Sequence, residues 1–160
     1  MSKEELAIIL ERGGVYKNIK GNNPKEVLAD LIGSLPINPE VSKDSLLQAV
    51  LEREALMPTG IGRGIAIPHP RNPVIPPEAA QLIVLAFLEN PVDWNSLDGE
   101  KVNTLFLVIS SSPAEHLQKL SGINFLCRDE NFYRMLMERS SLDKLLSYIS
   151  EAEKQWKSLT

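Results

Sequence analysis

A single cysteine, Cys127, stands in the 160-residue chain, so no internal disulfide can form and nothing in the cysteine pattern points to an oxidising compartment. Histidine is nearly as scarce. His69, His116, Cys127 and the scattered carboxylates show no paired ligand spacing, which sets a zinc site aside. The N-terminal residues Met1-Ser2-Lys3-Glu4-Glu5 lack the basic-then-apolar layout of a signal peptide. The longest apolar run, Leu82 to Leu88, falls far short of a membrane span. Positive charge is also in short supply: a net charge of -4 argues against a general nucleic-acid binder, which would carry a basic face large enough to show in the total. Together these absences predict a cytoplasmic protein without direct membrane insertion. At 43% hydrophobic residues the chain is long enough for one real core and short for two domains. It contains no internal repeat and no low-complexity segment.

Against that background one stretch is dense with chemistry. Between Thr59 and Arg71 lie three glycines, two arginines, two prolines and one of the two histidines. Glycines at alternate positions, Gly60, Gly62 and Gly64, leave the backbone N–H groups able to approach a bound anion closely, as a phosphate requires. Pro68 and Pro70 hold His69 on a stiff, extended segment. A neutral imidazole nitrogen there can act as base, metal ligand or nucleophile toward phosphorus. Arg63 and Arg71 on either side would stabilise a phosphoryl group's negative charge.

The flanking chain reads as alternating helices and strands. Ser2 and Glu5 form a capping box before Leu6, Ile9 and Leu10, and Gly13-Gly14 ends that first helix. Val15 to Ile19 alternates as a half-buried strand. Pro24 opens a helix whose inner face is Val27, Leu28, Leu31 and Ile32, and the Leu35 to Pro39 segment breaks it. Ser42 is placed to cap a helix with Leu46, Ala49 and Val50 on one stripe, which Arg53 prolongs. From the residues alone, Arg53 snorkels: its stem packs and its guanidinium reaches water. Asn72 to Pro77 reads as an exposed loop, and Leu82 to Leu88 as a central strand buried on both faces. A turn at Asn90-Pro91, a tight turn at Leu97 to Glu100 and a strand from Val102 to Ile109 follow. Ser112-Pro113-Ala114-Glu115 then starts a helix directly after a strand's carboxyl end, with His116 near its first turn, where unpaired N–H groups favour an anion. Leu117, Leu120, Ile123 and Cys127 share one face, so Cys127 is a packed small hydrophobe. Asp129 caps a helix with Phe132, Met135 and Leu136. Ser140 and Asp143 precede a last helix that turns Leu145, Leu146, Ile149 and Trp156 inward. This pattern implies an α/β or α+β sandwich.

Several chemistries can be set aside. A dinucleotide fingerprint would need glycine where Ile65 stands and a helix where the Pro-His-Pro segment runs. A Walker loop would need a Gly-Lys-Ser/Thr that is missing. Ser110 to Ser112 lack the Gly-x-Ser-x-Gly elbow of a serine hydrolase.

The run Gly60-Ile61-Gly62-Arg63-Gly64-Ile65-Ala66-Ile67-Pro68-His69 resembles the active-site motif of the type-2 IIA proteins of the bacterial phosphoenolpyruvate:sugar phosphotransferase system, the fructose, mannitol and nitrogen-regulatory group. The similarity extends upstream to Leu51 to Leu56 and downstream to His116 to Leu120. Its wording from Thr59 to His69 is nearest the nitrogen-regulatory branch. The resemblance implies a single-domain α/β (α+β) fold, a mixed sheet of about five strands flanked by helices, over residues 15–158, with 1–14 as an accessory helix or linker. It implies that His69 is a phosphoryl acceptor forming tele-phosphohistidine, that Arg53 and His116 share the active site, and that Thr59, Gly60, Gly62, Arg63 and Gly64 bind phosphate; for Arg53 it reverses the snorkelling reading. The implied partners are an HPr-type phosphocarrier and a IIB component or a regulatory target; no cofactor and no metal is implied. Two features depart from the pattern: Arg63 stands where relatives often carry asparagine or an acidic residue, and Gly122 interrupts a helix that is usually alanine-rich. The expected function is a phosphocarrier. The alternatives are a regulatory module whose phosphorylation state selects partners without onward transfer, and a scaffold with a vestigial site.

Overall fold

The computed structural model describes residues 5–36, 41–72, 81–110 and 112–159. Its centre is a pair of nearly all-apolar strands, β4 (Leu82–Val92) and β5 (Val102–Ile109), which run antiparallel from Leu82 opposite Ile109 to Phe87 opposite Thr104. On the outer side of β4 lies β1 (Val15–Ile19), parallel to it. On the outer side of β5 lies β3 (Ile65–Ala66), also parallel, with β2 (Gly60–Gly62) antiparallel at the far edge. The five strands form one mixed sheet in the order β1-β4-β5-β3-β2.

The unbroken hydrophobicity of the central strands follows from burial on both faces. Val84, Ala86 and Leu88, with Leu105, Leu107 and Ile109, face one core shared with α2 (Pro24–Ser34) and α3 (Lys43–Leu56). Ile83, Leu85 and Phe87, with Phe106 and Val108, face a second core beneath α1 (Leu6–Gly13), α4 (Pro113–Arg128), α5 (Glu130–Met137) and α6 (Leu142–Leu159). Helices on both faces of a mixed sheet are the α/β architecture the sequence leads one to expect.

Helix starts are set by side chains that accept hydrogen bonds from otherwise unpaired N–H groups. Asn23 accepts from Glu26 ahead of α2, Ser42 from Ser45 ahead of α3, and Asp129 from Asn131 and Phe132 ahead of α5. At α6 the cap is one residue later than expected: the N–H of Lys144 donates to the Ser141 hydroxyl at 3.4 Å. Ser140 is committed elsewhere. Its N–H donates to Met135 O while that of Arg139, at φ 53°, donates to Leu136 O, which closes α5 with a left-handed residue where glycine is usual.

Residues 1–14, set apart in the sequence, contribute α1 to the second core, where Leu6, Ile9 and Leu10 are buried. Ser2 lies outside the described residues. Among the described residues the N-terminus of α1 is held by Glu153 of α6, whose carboxylate accepts from Leu6 and Ala7 N–H at 2.9 and 3.1 Å. At the other end Gly13 rests against β4 so closely that a Cβ would overlap the Ile83 carbonyl oxygen. Gly122 has a similar cause: a Cβ there would lie 2.6 Å from Leu6 Cδ1, so the glycine in α4 makes room for α1.

Two further expectations are corrected. Asn90-Pro91 does not turn the chain. β4 runs through both residues to Val92, and the register shift between Phe87 and Val92 leaves Pro91 in an irregular stretch where its missing N–H is tolerated. Leu117 does not share the inner face with Ile123 and Cys127; it is 66% exposed on α4. Ile37 to Pro39, the Pro73 to Pro77 part of the expected loop and the Glu115 side chain lie outside the described residues.

Candidate functional site

Two parallel strands bring the histidines together. Beyond β3 the chain continues beside β5, with Val108 N–H donating to Pro68 O at 3.0 Å, so His69 emerges at the carboxyl end of this pair. β5 ends at Ile109, Ser110 follows, and α4 begins at Pro113, which sets His116 in its first turn at the same edge of the sheet. Ligand sites of α/β sheets lie characteristically outside strand carboxyl ends. The two rings meet with centroids 4.3 Å apart, tilted by 53°.

Arg53 enters from the last turn of α3, where its Nη1 donates to Met57 O at 2.8 Å and so fixes the helix end. The chain after His69 is tied to the same helix by Arg71 N–H donating to Ala49 O. A cavity of about 310 Å³ is lined by Arg53, His69, Arg71, Ser110, Ser112 and His116, among others. A second, of about 180 Å³, is lined by Arg53, Thr59, Gly60, His69 and Asn124, among others. Arg53 and His69 border both.

The hydrogen bonds of His69 define its reactive nitrogen. Its Nδ1 lies 2.9 Å from Ile67 O. A carbonyl oxygen can only accept, so Nδ1 carries the hydrogen and the neutral ring bears its lone pair on Nε2. His69 is 8% exposed. Burial lowers its pKa from the ordinary value and nearby Arg53 lowers it further, against the Ile67 carbonyl and Glu54, which favour the cation. His116 is pushed down to about 4, by burial first and then by His69 and Arg53. Both imidazoles are therefore neutral near pH 7. His116 Nδ1 lies 3.2 Å from Ser110 Oγ, while its Nε2 is buried without a hydrogen-bond partner.

Of the residues singled out in the sequence, Arg53, Thr59, Gly60, His69, Arg71 and His116 are brought together. Gly62, Arg63 and Gly64 line neither cavity. They form the β2–β3 turn, where φ is 96°, 57° and 82°, and the two glycines supply the conformation that turn requires. Arg63 points onto α5: its guanidinium pairs with Glu130 at 3.0 and 3.1 Å and lies 3.6 Å from the centre of the Tyr133 ring. Its backbone N–H donates to Asp98. The role of Gly60 is close approach, since a Cβ there would overlap Ser96 Oγ.

Sequence reasoning did not assign a site role to Glu54 or Ser110. The Glu54 carboxylate accepts from both the N–H and the hydroxyl of Thr59, at 2.7 and 2.6 Å. Its place next to Arg53 was the only available signal. Ser110 stands out in the sequence only as a candidate hydrolase nucleophile; its position directly after a strand and six residues before His116 is the feature that marks it. Cys127 is inert, its pKa pushed up to about 12 by burial. Among the described residues no three His, Cys, Asp or Glu side chains converge as a metal site, and no helix is long and apolar enough to cross a membrane.

Comparison with known proteins points the same way. A nitrogen regulatory protein of Escherichia coli is 31% identical over 155 residues, covering 93% of this chain and 91% of that protein. One from Pseudomonas aeruginosa is 34% identical over 121 residues, covering 74% and 77%. The fructose-specific EIIABC component of Bacillus subtilis is 28% identical over 94% of this chain, which spans only 24% of that longer protein. Among solved structures, the nitrogen regulatory protein IIA-Ntr of Neisseria meningitidis superposes with a TM-score of 0.74 at 22% identity, over 90% of this chain and 98% of that one, and so shares the fold. The family model described as "Phosphoenolpyruvate-dependent sugar phosphotransferase system, EIIA 2" matches residues 8–152, and the chain belongs to that family.

Proposed function

We propose that His69 is a phosphoryl acceptor, taking the group from the phosphohistidine of an HPr-type carrier onto Nε2 and then yielding it to a cysteine or histidine of a IIB partner or holding it as a regulatory signal. The observation that carries this reading is the Ile67 carbonyl on Nδ1, which leaves Nε2 as the nucleophile and predicts the tele isomer. As the Nε2–P bond forms, the donor's N–P bond breaks and the donor imidazole leaves with the electron pair. Each ring keeps the hydrogen on its other nitrogen, so only the phosphoryl group moves. The positive charge that develops on His69 is stabilised by the Ile67 carbonyl. Catalysis of this kind is positioning plus charge stabilisation. Arg53 and His116 serve the phosphoryl oxygens, Thr59 and Gly60 border the adjoining cavity, and Gly62, Arg63 and Gly64 shape the turn.

A regulatory outcome is favoured by the relatives that align along most of both chains, which are named nitrogen regulatory proteins. A solved structure of similar fold is a complex of the mannitol IIA enzyme with its phosphorylated IIB, from Escherichia coli, at a TM-score of 0.66 and 19% identity. It supports at most the kind of partner a IIA fold can engage. In this reading the protein acts among soluble carriers in the cytoplasm.

The test is incubation with phosphoenolpyruvate, enzyme I and HPr, followed by mapping of acid-labile phosphate. Label is expected on His69 of the wild type and to be absent from His69→Ala; labelling of the variant at wild-type yield would overturn the assignment. A folded, labelled protein that never passes its phosphate to any IIB component would leave the regulatory outcome as the function.

A further inference from the structure

We infer that Ser110 is a positioning residue that sets the tautomer of His116, rotating its hydroxyl so that His116 presents Nε2–H to a phosphoryl oxygen when one is in the cavity. This rests on the phosphocarrier reading of His69.

The argument begins with an atom that has no partner. His116 Nε2 is buried and unbonded, on the ring that lies 4.3 Å from His69, centroid to centroid. A buried polar atom left unpaired costs free energy, so an orphan that lies beside a second imidazole in a cavity calls for a partner. Because the ring is neutral at physiological pH, it carries one hydrogen, on Nδ1 or on Nε2. Nδ1 faces the Ser110 hydroxyl at 3.2 Å.

The identity of that neighbour matters. Ile67 O can only accept, so His69 is locked with its hydrogen on Nδ1. A hydroxyl both donates and accepts. When Ser110 accepts, His116 holds Nδ1–H and Nε2 is a bare lone pair, which would repel the anionic oxygens of a phosphoryl group. When Ser110 donates, Nδ1 is the acceptor and Nε2–H becomes a donor to such an oxygen. The exchange moves one hydrogen within the ring by way of solvent and leaves the charge unchanged. Ser110 is 4% exposed and lines the same cavity as His69, Arg53 and His116, so water competes little for its hydroxyl. It stands between the end of β5 at Ile109 and the start of α4 at Pro113.

Three measurements test this. Ring ¹⁵N spectra of His116 are recorded with inorganic phosphate and, separately, after phosphorylation by the HPr system; transfer from phosphorylated HPr is timed. In wild type both treatments should move His116 to the Nε2–H tautomer. In S110A that move should be lost or incomplete and transfer slowed about tenfold, with label still on His69, while S110T should restore both. S110A should add no further slowing to His116→Gln, because it acts through that ring. A His116 tautomer indifferent to Ser110, or a full S110A penalty in the His116→Gln background, would overturn the inference. A wild type that takes no label overturns the phosphocarrier reading alone. Ser110 is then judged by the inorganic-phosphate spectra, where a tautomer unchanged by phosphate, or changed equally in S110A, counts against it.

Discussion

The carboxylate of Glu54 holds Thr59 by two atoms at once, backbone N–H at 2.7 Å and hydroxyl at 2.6 Å. The residue before it in α3 is Arg53, and Thr59 O in turn accepts from Ile67 N–H two residues ahead of His69. One side chain thereby registers the helix that carries the cation against the segment that carries the acceptor. A hydrogen bond to a charged group contributes about 1.5–3 kcal/mol, and two that join the same pair of residues do not add in full. We predict that Glu54→Ala lowers stability by about 1–3 kcal/mol and slows phosphoryl acceptance, because Arg53 and His69 lose their common anchor. Denaturant titration and transfer from phosphorylated HPr check both, and an unchanged midpoint would show that Thr59 finds its partners elsewhere.

The depressed pKa values of the two histidines make stability depend on pH in one direction. The unfolded chain takes up protons near the ordinary value of 6.5, whereas folded His116 resists protonation down to about 4. Stability that is complete above 6.5 is therefore progressively lost as pH falls toward 4. His69 contributes in the same sense. His116→Gln should flatten the fall in melting temperature across this window. A slope equal to that of wild type would place the acid sensitivity in His69 or the carboxylates instead.

Two glycines should respond oppositely to the same substitution. At Gly13 a Cβ would overlap the backbone of Ile83, which cannot yield without distorting β4, so Gly13→Ala should cost about 1–3 kcal/mol. At Gly33, in the last turn of α2, a Cβ would meet nothing within 4 Å, and Gly33→Ala should stabilise by about 0.5–1 kcal/mol. Urea midpoints of both variants decide the matter; equal shifts would refute the packing account.

Arg63→Ala separates a role in the turn from a role in chemistry. Arg63 is engaged with Glu130 and Tyr133 at the protein surface, where such pairs contribute little. Labelling of His69 should stay within about twofold of wild type, as expected for loss of a weak surface pair. A tenfold or greater loss would return Arg63 to the phosphate site.

What could be read in the sequence was local. Pro24, Ser42 and Asp129 mark helix starts through partners or backbone geometry no more than three residues away, so the local sequence located α2, α3 and α5. The continuous apolar run in β4 announced a buried strand for the same reason. His69 stands out through its motif, whereas Arg53 reads as snorkelling from the residues alone and is set beside His69 and His116 only by the family resemblance. The misses involve partners distant in the chain or exceptions to residue preference. Asn90-Pro91 looks like a turn until the irregular pairing with β5 is seen. Ser140 looks like a cap until Arg139 adopts the left-handed conformation that engages it. Ser110 gains meaning only once His116 folds back onto it, and the alternating glycines suggested an anion cradle because a turn and a cradle ask for the same residue.

Glu153 lies 147 positions after Leu6, yet it caps the helix that begins there. During synthesis α1 therefore leaves the ribosome long before its cap exists, and its N–H groups must wait on water until α6 arrives. Closure of this domain therefore waits for α6. Glu153→Ala should consequently loosen the start of α1, read as faster hydrogen exchange at Leu6 and Ala7 while the caps of α2 and α5 stay protected.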